Sequence, residues 1–179
     1  LVGVIAADTT LHLPDFRSAE RTFQLLTQVS GRAGRAELPG EVIIQTYSPD
    51  HYAIQLAAQQ EYLPFYETEM RVRKISSYPP MYYIVLIRLS HKEAGTAASY
   101  AHRIARFLRG ELKDPTLIIG PAPSAIPRIK NRYRYQCLIK YKREPALLDT
   151  LHRLMHMYRT QWQKEDVRLV INIEPASIL

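Results

Sequence analysis

Hydrophobic and polar positions change their period several times along the chain. Residues 1–6 are almost continuously apolar and then meet Ala7-Asp8-Thr9-Thr10, the pattern of a buried strand running into a polar loop. Pro14-Asp15 predicts a helix start, with acidic Asp15 at the positive end of the helix dipole. Ala19, Phe23, Leu25, Leu26 and Val29 then supply an apolar face at helical spacing. Pro39-Gly40 breaks that pattern, and residues 41–47 read as a second strand. Strand, loop, helix, strand is the tail of an α/β lobe, not a complete fold. Ser48-Pro49-Asp50 opens further helices over about 51–60 and 62–75, the second dense in charge at Glu67, Glu69, Arg71, Arg73 and Lys74.

Ser76-Ser77-Tyr78-Pro79-Pro80 is the clearest boundary, because two successive prolines continue neither a helix nor a central strand. Beyond it the pattern is orderly. Residues 82–90 are β-rich, 93–109 form a helix ended by Gly110, and 117–126 form a short strand interrupted by prolines. A strand over 133–141, a helix over 145–163 with Pro145 in its first turn, and a last strand over 167–173 complete the order βαββαβ. Two split βαβ units in that order predict a ferredoxin-like sandwich, with four antiparallel strands and both helices on one face. Pro121, Pro123 and Pro127 place its second strand at an edge or a bulge. The expected class is therefore α/β (α+β), in three parts. These are the end of an α/β lobe over 1–47, a helical connector over 48–77 and the ferredoxin-like domain over 78–179.

Composition narrows the function. The chain has 179 residues, 46% of them hydrophobic, with 24 Lys plus Arg against 17 Asp plus Glu and a net charge of +7. That balance favours an anionic partner. A single cysteine, Cys137, excludes a disulfide framework and a cysteine-rich zinc site within these residues. The longest apolar stretch, residues 82–87, is too short to span a bilayer. Residues 1–7 carry no basic segment ahead of them, which argues against a signal peptide and for a chain cut from something longer. There is no Gly-Lys-Ser/Thr, no His-Glu-x-x-His and no Gly-x-Ser-x-Gly. His152 and His156 stand four apart on a predicted helix, a metal-compatible spacing, but no third ligand is evident and no metal is expected. A phosphate-binding metabolic enzyme is poorly supported, since no acid/base pair or nucleophile stands out.

Two constellations carry candidate chemistry. In Gln28-Val29-Ser30-Gly31-Arg32-Ala33-Gly34-Arg35, a continuing helix puts Gln28, Arg32 and Arg35 on one stripe at i, i+4 and i+7. Gly31 and Gly34 let a backbone or a phosphate approach closely. Two guanidiniums and an amide are donors suited to phosphate oxygens. A helix C-terminus capped at Gly34, with arginines meeting the dipole, accounts for the same residues. The second constellation is basic: residues 121–143 contain no acid, while Arg128, Lys130, Arg132, Arg134, Lys140, Lys142 and Arg143 are all positive. Lys130-Asn131-Arg132 reads as a hairpin turn with Tyr133 and Tyr135 interleaved. Such a ribbon can neutralise phosphates and stack on unpaired bases, or simply guard a sheet edge. The stripe of Leu147, Leu148, Leu151, Leu154, Met155 and Tyr158 is expected to be core.

Gln-x-x-Gly-Arg-x-Gly-Arg resembles the sixth motif of superfamily-two helicases, and residues 1–8 resemble their fifth. The text from Phe16 to Arg35, then Tyr78-Pro79-Pro80, Gly120-Pro121-Ala122-Pro123 and Tyr133-Arg134-Tyr135-Gln136, is similar to the C-terminal part of the PriA (primosomal protein N′) family of replication-restart DNA helicases. The resemblance spans essentially the whole chain. It implies a two-lobed motor with ATP and Mg²⁺ held mainly by a first lobe absent here, so this segment alone is expected to be inactive. It makes Arg32 and Arg35 arginine fingers positioned by Gln28, with Gly31, Gly34 and Asp8 near the nucleotide. Zinc belongs to the parent family and not to this segment. The implied activity is 3′ to 5′ unwinding, with recognition of stalled or branched forks and the start of primosome assembly. The implied partners are branched and single-stranded DNA, single-stranded-DNA-binding protein and other primosome proteins. No membrane is expected, and the location would be the bacterial cytoplasm at the nucleoid. Arg128, Lys130, Arg132, Tyr133 and Arg134 are the expected DNA contacts, and Lys142 and Arg143 the expected contacts for an acidic protein tail. A non-catalytic nucleic-acid- or protein-binding module is the alternative.

Overall fold

The computed structural model describes residues 1–33, 41–113 and 115–179, which divide into two compact units, Leu1–Ser76 and Ser77–Leu179. The fold is mixed α and β, as the periodicities predict.

In the first unit, β1 (Val2–Val4) and β2 (Val42–Ile44) pair in parallel, with Val2 opposite Val42 and Val4 opposite Ile44. A parallel pair needs a crossover, and it contains α2 (Ser18–Ala33). A single helical turn, α1 (Asp8–Leu11), stands where the sequence reads as loop. Helix α2 starts at Ser18 and not at Pro14-Asp15, because the Asp15 carboxylate is spent on a turn: its Oδ1 accepts from the Arg17 amide at 2.9 Å. Phe23 and Leu26 are buried as expected, whereas Leu25 is 50% exposed. Helices α3 (Tyr52–Ala58) and α4 (Tyr62–Ile75) join α2 in one apolar cluster, in which Phe23 stacks on Phe65 with centroids 4.0 Å apart.

The second unit contains β3 (Tyr83–His91), α5 (Ala94–Glu111), β4 (Leu117–Ile129), β5 (Arg132–Tyr141), α6 (Leu147–Thr160) and β6 (Arg168–Ile173). The strands are antiparallel in the order β4-β5-β3-β6, the ferredoxin-like arrangement with β4 and β6 at the edges. Strand β4 is long but irregular, with register breaks between Ile119 and Ala122 and between Pro123 and Arg128. Its prolines lack the amide a central strand must donate, which explains both the edge position and the breaks.

Period-two alternation gives the sheet two different faces. Val85, Ile87, Leu89, Cys137, Ile139 and Leu169 face the two helices. Helix α5 meets them with Tyr100, Ala101, Ile104, Ala105 and Leu108, at i, i+1, i+4, i+5 and i+8, and α6 with Leu147, Leu151 and Leu154. Leu148 departs from the expected core stripe and is 61% exposed. On the opposite face, Ile84 and Leu86 are fully buried and Lys140 sits with its Nζ 3.4 Å from the centre of the Tyr78 ring. The Tyr-Pro-Pro segment therefore covers that end of the helix-free face. Among the described residues, no helix is long and apolar enough to cross a membrane.

Candidate nucleic-acid interface

Strands β4 and β5 are joined by a two-residue turn. Lys130 and Asn131 both have left-handed backbones, with φ of 47° and 61°, the signature of the tight turn whose twist matches the flanking strands. Ile129 pairs with Arg132 and Arg128 with Tyr133 on either side of it. Lys130 stands exposed at the tip. The Arg128 guanidinium lies 5.0 Å from the centre of the Tyr133 ring and donates to the Asn131 side-chain oxygen. Those contacts hold one exposed cation and one aromatic face together at the end of a ribbon.

The five residues expected to form one DNA surface are divided by the pleat. Arg132 and Arg134 project from the helix-free face, while Tyr133 projects from the opposite one. Arg132 is not available to DNA: it is 5% exposed. Its Nη1 lies 3.0 Å from Asp166 Oδ2, its Nη2 donates to the Ser90 and Asp166 carbonyls, and its Nε donates to Ser90 Oγ at 3.3 Å. Hydrogen bonds from Lys92 and Arg132 hold the Asp166 carboxyl below its ordinary range. Arg132 thus ties the sheet to the turn before β6. Arg134 is half-buried, and its Nη1 donates to the Ile126 carbonyl at 3.3 Å.

Lys142 and Arg143 are exposed just beyond the far end of β5. The ten residues of that strand separate them from the hairpin tip by about 30 Å, so the two basic sets form separate surfaces. Lys142 keeps its Nζ 4.9 Å from the centre of the Tyr82 ring.

In the first unit, Gln28 and Gly31 are exposed on α2, and a Cβ built on Gly31 would meet nothing within 4 Å. Arg32 continues the same helix, four residues after Gln28. Gly34 and Arg35 lie outside the described residues. Asp8 is 6% exposed and both of its carboxylate oxygens are engaged. Thr46 Oγ1 donates to one at 2.7 Å and the Tyr47 amide to the other at 2.8 Å. Burial alone raises such a carboxyl; the bonds from Thr46, Tyr47 and Ser48 outweigh it and bring the pKa down to about 2. In this arrangement Asp8 braces its own loop against the segment after β2.

Sequence reasoning passed over Arg88 and Arg168. Both lie on the helix-free face, in a cavity of about 240 Å³ lined also by Ser90, Arg134 and Val170. An arginine inside an otherwise apolar strand, Ile-Val-Leu-Ile-Arg-Leu, was the available signal.

Residues 74–176 match the family described as the primosomal protein N C-terminal domain. The chain is 54% identical over 179 residues to the replication restart protein PriA of Bacillus subtilis (strain 168), covering 100% of this chain and 22% of that protein. It is 42% identical over 178 residues to the protein of the same name from a Synechocystis strain, covering 99% and 21%. The corresponding protein of Chlamydia pneumoniae is 33% identical over 177 residues, covering 99% and 23%. The chain spans roughly a fifth of the length of these relatives.

Proposed function

The chain belongs to the PriA replication-restart family and carries its primosomal protein N C-terminal domain, and on that premise we propose that it is the C-terminal part of an ATP-dependent DNA helicase acting at stalled or branched forks. In this reading the second unit contributes a DNA-binding surface. The observation that carries it is the β4–β5 ribbon, which bears exposed cations and an aromatic ring within a segment, residues 121–143, that contains no acid. Lys130 and Arg128 neutralise phosphates, and Tyr133, held by Arg128, offers a face to an unpaired base. The helicase is proposed to unwind 3′ to 5′. Its partners are proposed to be single-stranded-DNA-binding protein, docked at Lys142 and Arg143, and other primosome proteins.

The first unit contributes to ATP hydrolysis only in the whole protein, where the other lobe supplies the phosphate loop and holds ATP and Mg²⁺. Arg32 and Arg35 act there as fingers on the phosphoryl oxygens, with Gln28 positioning them and Gly31 and Gly34 allowing close approach. Asp8 acts indirectly, by holding the loop that joins β1 to α1.

Fluorescence anisotropy on forked and single-stranded DNA across a salt series tests the ribbon. Replacing Arg128 and Lys130 together with alanine is expected to flatten the logarithmic salt dependence by about 0.7 per lost contact on a single strand. Unchanged binding would remove the ribbon from the DNA surface. For the fingers, alanine at Arg32 or Arg35 in the full-length protein should lower DNA-stimulated ATP hydrolysis by roughly 10³-fold or more. Near-normal turnover in both variants would sink that assignment.

A further inference from the structure

The helix-free face of the β4-β5-β3-β6 sheet is covered by the Tyr-Pro-Pro segment at one end and exposes Arg168 and Val170 at the other. At that second end, Ser90 of β3 pairs across the sheet with Arg134 of β5 on one side and Arg168 of β6 on the other. Two strand spacings put the Cα atoms of those arginines about 10 Å apart, with Ser90 between them. Arg88, two residues earlier on β3, shares the face and completes a triangle around the cavity.

The charges there are left open. Arg88 Nε and Nη2 are shut off from solvent and have no hydrogen-bond acceptor among the described residues. Burial, and then the neighbouring Arg134, lower the pKa of Arg88, as expected of cations gathered without an anion. Among the lining residues there is no acid. Asp166 is already taken by Arg132 and Lys92, at 3.0 and 3.1 Å. Buried donors without protein partners call for an acceptor from outside the chain, and three arginines lining one cavity select among anions. A carboxylate presents two oxygens in one plane and is satisfied by one fork of donors, whereas a phosphate presents oxygens tetrahedrally and takes several forks at once. Arg134 also joins this end of the face to the basic ribbon, through its bond to the Ile126 carbonyl.

We propose that Arg88, Arg134 and Arg168 form a phosphodiester site, which grips one backbone phosphate of the DNA strand that meets the β4–β5 ribbon. The identity of the strand rests on the DNA-binding reading above; the oxyanion site rests on its own geometry. The exposed Lys130 at the hairpin tip lies at the same end of the sheet, and a strand held there and at this site is fixed in direction past that end.

The test uses the 179-residue chain labelled with ¹⁵N, and follows the arginine Nε–Hε signals during titration with dimethyl phosphate and then with a thymidine oligonucleotide. The Arg88 and Arg168 signals are expected to shift saturably with both. Anisotropy with R88Q and R168Q should show affinity for the oligonucleotide lowered roughly tenfold in each, with a salt slope reduced by about 0.7. Arg168 is exposed, so R168Q keeps the test decisive should R88Q lose its fold. If the ribbon variant is weakened while R88Q and R168Q bind like wild type, this site is overturned and the DNA-binding reading stands. Arginine signals that respond to dimethyl phosphate without any effect of the variants on DNA would mean an adventitious oxyanion only, and would also overturn it. No shift with either ligand would assign the cavity to water.

Discussion

At the scale of single residues, similar side chains do opposite work according to the strand face and the acids within reach. Arg132 and Arg128 lie four apart on one hairpin, yet Arg132 is buried against Asp166 and Ser90 while Arg128 is exposed beside Tyr133. Arg132→Ala is therefore expected to destabilise the fold by about 1–3 kcal/mol in urea unfolding, with little change in DNA affinity. Arg128→Ala should show the reverse. Asp8 makes a pH prediction. Its carboxyl is lowered from 3.8 to about 2 in the folded chain, so its contribution is complete above the unfolded value and is lost as the pH falls toward 2. The thermal midpoint of Asp8→Asn should lie below that of wild type near neutral pH, and the two should converge in acid. A gap that stays constant down to about pH 2 would contradict this. Gly120 is fixed by backbone geometry. Its φ is +99°, and a Cβ there would come within 2.7 Å of the Gln136 carbonyl oxygen. Gly120→Ala should cost about 1–3 kcal/mol in the same unfolding assay.

Elements were legible where one period ran without interruption. The helix over residues 62–75 and the strand order βαββαβ follow directly from spacing, because each residue on an apolar face repeats the same physical demand. Element ends were less legible, since they depend on local polar bonds such as the one Asp15 spends on the Arg17 amide. The charge run in α4 hides a buried network. Arg73 Nε bonds Glu69 at 2.7 Å, Arg73 Nη2 bonds Glu20 of α2 at 2.6 Å, and Tyr52 of α3 donates to Glu69 at 2.6 Å. Glu69 is 3% exposed, so Arg73→Met strands a buried carboxylate and should cost about 3–5 kcal/mol. Glu20 is far more open, and Glu20→Ala should cost less than about 1 kcal/mol. Comparable losses in the two variants, measured by urea unfolding, would argue against a network centred on Glu69.

For the molecule as a whole, charge and topology act together. The net charge of +7 predicts an anionic partner without saying where it binds. On the reading proposed above, strand order places that site in the second unit, by bringing β3, β5 and β6 side by side and gathering arginines that are 34 to 80 residues apart in sequence. The same topology seals Cys137 between the sheet and α5, where burial pushes its thiol up to about 11. Cys137 should accordingly resist a disulfide reagent near pH 8 in the native chain and react at the ordinary thiol rate once denaturant opens the sheet. Fast labelling of the folded protein would mean that this core opens readily.

Periodicity was enough to set the class of fold, proline placement to put β4 at an edge or a bulge, and an ordered series of short strings from Phe16 onward to point to the family to which the chain belongs. Those features are local, and each is repeated in neighbouring residues, so a linear reading recovers them. Which arginines are exposed, which are spent on Asp166 and which line one cavity depended on strands distant in sequence becoming neighbours. A one-residue step along β5 turns a side chain to the other face, and the acid or acceptor it then meets comes from a different strand. That pairing is a property of the sheet as assembled, and no stretch of the chain contains it alone.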